Sequence, residues 1–175
     1  MKIKVWVMAW ALAALWFHTD MLVADLSKTE SFFSFFNTVS SDKPSPKPDF
    51  SPEEVVTIQL KAFQENDHSD NGIETVFNFA SPENRKYTGP LDFFKAMVKN
   101  PTYESLLNMK KYEARKIHIE GNTAQQIVVI TDKDDRKAAF LFTLSKQTEG
   151  SYKGCWMTSS VIRLAYEDKT KTVNT

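Results

Sequence analysis

The chain has 175 residues, of which 42% are hydrophobic and 13% aromatic, and its 22 basic and 22 acidic residues leave a formal net charge of zero. That is material for one domain with tails, and the even charge balance argues against a protein held to nucleic acid by a basic face. The single cysteine, Cys155, rules out an intramolecular disulfide or a cysteine-built zinc site, and His18, His68 and His118 stand too far apart to share a helix face, so no metal and no cofactor is expected.

Residues 1–24 read as a targeting segment. Lys2 and Lys4 precede an apolar run from Val5 to Phe17, the layout of a secretory signal peptide with a cleavage point after Ala24. The alternative is an uncleaved membrane anchor over residues 5–24, a bilayer-spanning length, interrupted by His18-Thr19-Asp20. Both readings leave the basic end in the cytosol and put the folded domain across the membrane. The expected location is therefore the secretory pathway or an organelle lumen, with membrane contact through the N-terminal segment if it is not cleaved.

Residues 25–50 form a Phe-rich segment and a linker. Four phenylalanines between Phe32 and Phe36 are too few for a span, and Pro44, Pro46 and Pro48 stiffen the chain toward polyproline II.

The domain occupies residues 51–164. Ser51-Pro52-Glu53-Glu54 is a capping box with proline in the first turn, and Val55, Val56, Leu60 and Phe63 follow at helical spacing. Turn formers from Asn66 to Gly72 end that helix. A second helix runs from Ile73 to Ala80, with one further turn, through Tyr87, capped by Ser81-Pro82. A third follows Thr88-Gly89-Pro90, with Leu91, Phe94, Met97 and Val98 inward and Pro101 closing it.

From about Asn108 the period becomes two. Four strands are expected: Lys110 to Gly121, Thr123 to Asp132, Lys137 to Lys146, and Cys155 to Leu164. In the first, alternation is clear only at Ile117 and Ile119. In the last, Trp156, Thr158, Ser160, Ile162 and Leu164 share one face by strict alternation. Short turns between consecutive strands make an antiparallel meander. Residues 165–175 are a charged, polar tail.

The expected fold class is α+β: three N-terminal helices packed on a curved four-stranded antiparallel sheet. A sheet curling around the first helix would leave a cone with one open end. The Pro/Gly-broken piece from Ser81 to Val98 is then its lid, with its rings toward the interior.

This arrangement resembles the nuclear transport factor 2-like superfamily, the cystatin-like cone shared with ketosteroid isomerase and certain polyketide cyclases. More closely, the chain resembles the family called domain of unknown function 4864. The marks are Phe79-Ala80-Ser81-Pro82, the stretch Phe94 to Met97, and Gly154-Cys155-Trp156-Met157, within similarity covering most of Ser51 to Leu164. The resemblance implies a cone fold in one piece and brings no assigned activity. The superfamily hosts enzymes and plain binding modules alike.

Isomerase chemistry in such a cone needs an inward carboxylate base with an acid donor facing it. The strands are poor in inward acids. Glu113 and Glu120 lie at the ends of the first strand, and Asp132, Asp134 and Asp135 fall in a turn interleaved with Lys133 and Arg136. Cys155 would need a base or cation nearby to act as a thiolate. His118 is a partner for it only if it lies opposite.

The candidate ligand-binding residues are Asn84, Arg85 and Tyr87 on the lid, and Phe94, Met97, Cys155 and Trp156 along the pocket. The expected function is non-catalytic binding of a small apolar ligand or a protein partner. The alternatives are an isomerase-, cyclase- or hydratase-like enzyme with its site inside the cone, and a structural module forming a homodimer through the sheet face.

Overall fold

The computed structural model describes residues 43–166. The targeting segment (1–24), the Phe32–Phe36 cluster and residues 167–175 of the tail lie outside the described residues. Among the described residues four α-helices precede the sheet: α1 (Pro52–Gln64), α2 (Asn71–Asn78), α3 (Pro82–Thr88) and α4 (Leu91–Val98).

Local chemistry explains the helix starts. Ser51 Oγ accepts the Glu54 N–H at 3.2 Å and Glu54 Oε2 accepts the Ser51 N–H at 2.7 Å, so the capping box closes. Val55, Val56, Leu60 and Phe63 are buried along α1. Gly72 opens α2 beside α1: a Cβ there would lie 2.0 Å from the Ala62 carbonyl oxygen, so only glycine allows this approach. Ser81 Oγ accepts the Asn84 N–H at 3.1 Å, and this cap starts a seven-residue helix that ends at Thr88, one residue beyond the turn expected through Tyr87. The count is therefore four helices instead of three. α3 stops at Gly89, whose φ of +73° is a glycine conformation.

The sheet has five strands instead of four: β1 (Lys111–Ala114), β2 (His118–Glu120), β3 (Thr123–Thr131), β4 (Lys137–Lys146) and β5 (Trp156–Leu164). All neighbours are antiparallel, in the order β1-β3-β4-β5, with β2 also on β3. The first expected strand is thus two. Ala114 pairs with Val128 while His118 pairs with Gln125, so the β1–β2 side spends one residue more than β3. The extra residue reverses the alternation, which is why Tyr112 and Ala114 share the inner face with Ile117 and Ile119 despite their odd spacing.

The same device recurs on β5. Leu144 pairs with Thr158 but Thr143 with Ser160, which leaves Ser159 as the additional residue of a β-bulge. Before it, Trp156 and Thr158 face the helices. After it the phase flips, so Val161 lies opposite the fully buried Phe142, and Ser160 and Ile162 oppose Thr143 and Leu141 on the outer face. Strict alternation along β5, with Ser160, Ile162 and Leu164 on the same face as Trp156 and Thr158, is corrected by this bulge.

One hydrophobic core joins the two layers. Val55, Leu60, Phe63, Ile73, Val76, Phe79, Phe94 and Val98 from the helical side pack with Val128, Ile130, Phe140, Phe142, Leu144 and Trp156 of the sheet. The chain is an α+β domain with its helices on one face of an antiparallel sheet.

Candidate functional site

A pocket of about 300 Å³ opens where the helices meet the edge strand β5. α1 supplies Gln59 and Phe63; Val76 and Ala80 come from α2 and its end. Asn84 and Thr88 of α3 and Phe94, Met97 and Val98 of α4 form the cover side. Tyr103 and Leu106 close one end, and Thr158, Ser160, Val161 and Ile162 along the edge of β5 the other. The Ser81–Val98 piece therefore walls the pocket, as its aromatic helix suggested. Its rings divide, however. Phe94 is buried, while Tyr87 is 78% and Phe93 59% exposed.

The polar floor is tied together. Gln59 is fully buried and donates from Nε2 to the Val55 carbonyl (3.1 Å) and to Thr158 Oγ1 (2.8 Å). The Thr158 main chain extends the sheet outward: its N–H donates to the Phe79 carbonyl at 2.8 Å and its C=O accepts from the Ser81 N–H at 2.9 Å. That carbonyl also accepts from Asn84 Nδ2 at 3.1 Å. Thr88 Oγ1 donates to the Asn84 carbonyl at 3.1 Å, and the Tyr103 hydroxyl to the Val161 carbonyl at 3.2 Å. The edge of β5 is thus covered at its middle by the α2–α3 corner, and the pocket lies beside that cover.

Three of the seven candidate residues, Asn84, Phe94 and Met97, line this pocket. Arg85 does not. Its guanidinium lies between the rings of Phe77 and Tyr152, 5.1 and 5.6 Å from their centroids, and Nη2 donates to the Asn78 carbonyl at 2.7 Å. It clamps α3 to the end of α2 and to the turn before β5. Tyr87 points to solvent. Trp156 belongs to the core, and Cys155 is buried outside the lining. Burial pushes the Cys155 thiol above its ordinary range. His118 sits on β2, at the other edge of the sheet from β5, and so does not lie opposite the thiol.

Sequence reasoning missed Gln59, Thr158, Thr88 and Tyr103. Gln59 had a readable signal. It stands four residues after Val55 and three after Val56, a polar residue inside the apolar stripe, and a buried amide needs a partner. Thr158, Thr88 and Tyr103 carried none.

The Asp132–Arg136 turn is self-contained. The buried Asp132 carboxylate accepts the N–H of Asp134 (2.8 Å) and of Arg136 (2.9 Å) and the Arg136 Nε (2.8 Å). Among the described residues no group of three or more His, Cys, Asp or Glu is arranged to hold a metal ion. Nor is any helix among them long and apolar enough to cross a membrane.

No curated protein and no solved structure matches the chain. The family model described as Domain of unknown function (DUF4864) matches residues 47–170, a span that contains every element and every pocket residue described above, and the chain belongs to that family.

Proposed function

We propose that residues 51–164 form a non-catalytic binding module with the cone arrangement of the nuclear transport factor 2-like superfamily, holding a small apolar ligand between the helices and β5. The observation that carries this reading is the composition of the pocket wall. Its volume of about 300 Å³ suits a small molecule. Its described lining is built from aliphatic and aromatic side chains, hydroxyls and amides, with no carboxylate, imidazole, amine, guanidinium or thiol. The one titratable side chain of the described lining, the Tyr103 phenol, already donates to the Val161 carbonyl at 3.2 Å, and no carboxylate base of the isomerase kind stands there to face it. An apolar cavity with few polar anchors is the usual form of a binding site.

The test is titration of the full chain with the neutral fluorophore N-phenyl-1-naphthylamine. One equivalent should bind, and Met97→Trp, which fills the pocket, should weaken binding at least about tenfold. Binding unaffected by Met97→Trp, or no binding, overturns the reading.

A second reading has its own observation. Ile127, Leu141 and Ile162 are direct cross-strand neighbours on the outer face, beside a next row in which Val129 and Ala139 are buried. Ile127 and Ile162 are 42% and 51% exposed. This apolar row supports pairing of two copies through the sheet face. Sedimentation equilibrium of the chain and of Ile127→Lys/Ile162→Lys tests it; a concentration-independent monomer in both rules it out.

The basic-then-apolar residues 1–24 support export or membrane anchoring of the domain. N-terminal sequencing of the mature protein distinguishes a chain cut after Ala24 from an intact one.

A further inference from the structure

We infer that the pocket selects a neutral ligand bearing a hydroxyl or amide group and rejects the matching carboxylate; this rests on the binding reading above. The argument is an account of hydrogen-bonding capacity along the wall. Gln59 Nε2 is engaged twice, by the Val55 carbonyl and by Thr158 Oγ1. The Thr158 hydroxyl lies 3.0 Å from Gln59 Oε1 and donates there. The hydroxyls of Thr88 and Tyr103 donate to the main-chain carbonyls of Asn84 and Val161. Ser160 lines the pocket at the strand edge, from the position opposite Thr143, and adds a hydroxyl that can both donate and accept.

Asn84 is different. The bond from Nδ2 to the Thr158 carbonyl (3.1 Å) fixes which way its amide is turned, since only the NH₂ group can donate to that oxygen. Its Oδ1 then takes no bond from the described residues, and one N–H remains beside it. Asn84 therefore offers the ligand an acceptor with one adjacent donor. A ligand hydroxyl, or a primary amide, matches both. A carboxylate offers acceptors only, meets Asn84 Oδ1 as a repelling dipole, and finds no cation in the described lining to repay its desolvation.

The rings of Phe63, Phe94 and Tyr103 set the remainder of the ligand as a flat or compact hydrocarbon.

The experiment is competition against N-phenyl-1-naphthylamine on the full chain at pH 7 with four probes of one skeleton: 2-naphthol, naphthalene, 2-methoxynaphthalene and 2-naphthoate. The expected order puts 2-naphthol about five- to tenfold tighter than naphthalene, the factor one net hydrogen bond supplies. The methyl ether, which has no donor, should lose that advantage. Naphthoate should be at least about tenfold weaker than naphthalene. Asn84→Ala should bring naphthol to within about twofold of naphthalene. The methyl ether makes the same comparison on the unaltered chain, so the result does not depend on how well Asn84→Ala folds.

If naphthalene displaces the dye but naphthol gains nothing over it, or naphthoate binds as well as naphthol, the inference is wrong while the pocket still binds apolar ligands. If none of the four displaces the dye, the binding reading and the inference fall together.

Discussion

Gln59 on α1 and Thr158 on β5, separated by 99 positions in the chain, meet side chain to side chain in the interior, with Nε2 2.8 Å from Oγ1 and Oε1 3.0 Å from it. The pair ties the first helix to the last strand and forms the floor of the pocket. Both residues are almost wholly out of water.

Breaking this pair on one side should therefore cost more than removing it. Thr158→Val leaves a buried amide short of a partner and should destabilise the chain by about 1–3 kcal/mol. Gln59→Leu alone leaves the Thr158 hydroxyl unpaired, with a similar loss. The double variant should lie well short of the sum of the two, because nothing polar is then left unpaired. Urea denaturation of the four proteins gives the cycle, and strict additivity would show that the two side chains do not interact.

Gly72→Ala should be poorly tolerated. The added methyl meets a main-chain oxygen at 2.0 Å and Asn66 Oδ1 at 2.9 Å, and Asn66 Oδ1 already accepts the Ile73 N–H. Neither atom can retreat without separating α1 from α2. The expected loss is at the upper end of the roughly 1–3 kcal/mol typical of overpacking, read from the thermal midpoint. A neutral or stabilising effect would mean that the two helices are not held this close.

Arg85→Ala should loosen the α2–α3 corner. The guanidinium bridges two aromatic faces and caps the Asn78 carbonyl. Its removal should cost roughly 1–3 kcal/mol. Arg85→Lys should recover only part of the loss, since an ammonium cannot stack between two rings as a planar group does. Equal stability of the Lys variant and the native chain would refute the sandwich.

Asp132 should make part of the stability pH-dependent. Burial alone would raise its carboxyl, but hydrogen bonds from the Arg136 N–H and guanidinium and the Asp134 N–H outweigh it and hold the value below the ordinary 3.8. A folded-state value below the unfolded one gives stability that is fully present above the unfolded value. It is lost as pH falls through the folded value. Asp132→Asn should thus be about 1–2 kcal/mol less stable than the native chain at pH 7, with the gap closing in strongly acidic solution. A gap of constant size from neutral to acid pH would exclude the carboxylate as its source.

Cys155, the single cysteine, should be inert in the folded chain. It is buried and its thiol is pushed up by desolvation. Modification by a disulfide reagent at pH 8 should be at least about 100-fold slower than in urea, as for a group exposed only by opening of the fold. Fast native-state labelling would expose an environment unlike the one described.

Much of the helical half was legible in the sequence because its signals are local. Ser51, Glu54 and Pro52 lie within one turn of each other, so the capping box is read from four letters and closes as expected. The Val55, Val56, Leu60 and Phe63 stripe needs only the helix's own period. The cap at Ser81 placed the start of α3 and its end was read to within one residue, Tyr87 against Thr88, where Gly89 takes positive φ.

Strand existence was equally plain, and Phe140, Phe142 and Leu144 are buried together as their alternation required. Strand phase was not. A period of two identifies a face only while the ladder is unbroken, and each extra residue, one between Ala114 and His118 and one at Ser159, is defined by the partner strand across from it.

The sequence by itself determined the α+β class, the capped first helix and the antiparallel order of the later strands. All of these follow from short-range preferences and hydrophobic period. Only the tertiary structure decided that Arg85 is a clamp, that Tyr87 faces water and that Gln59 meets Thr158. Those outcomes depend on which surfaces distant segments bring together, and no local pattern of residues encodes a meeting across 99 positions.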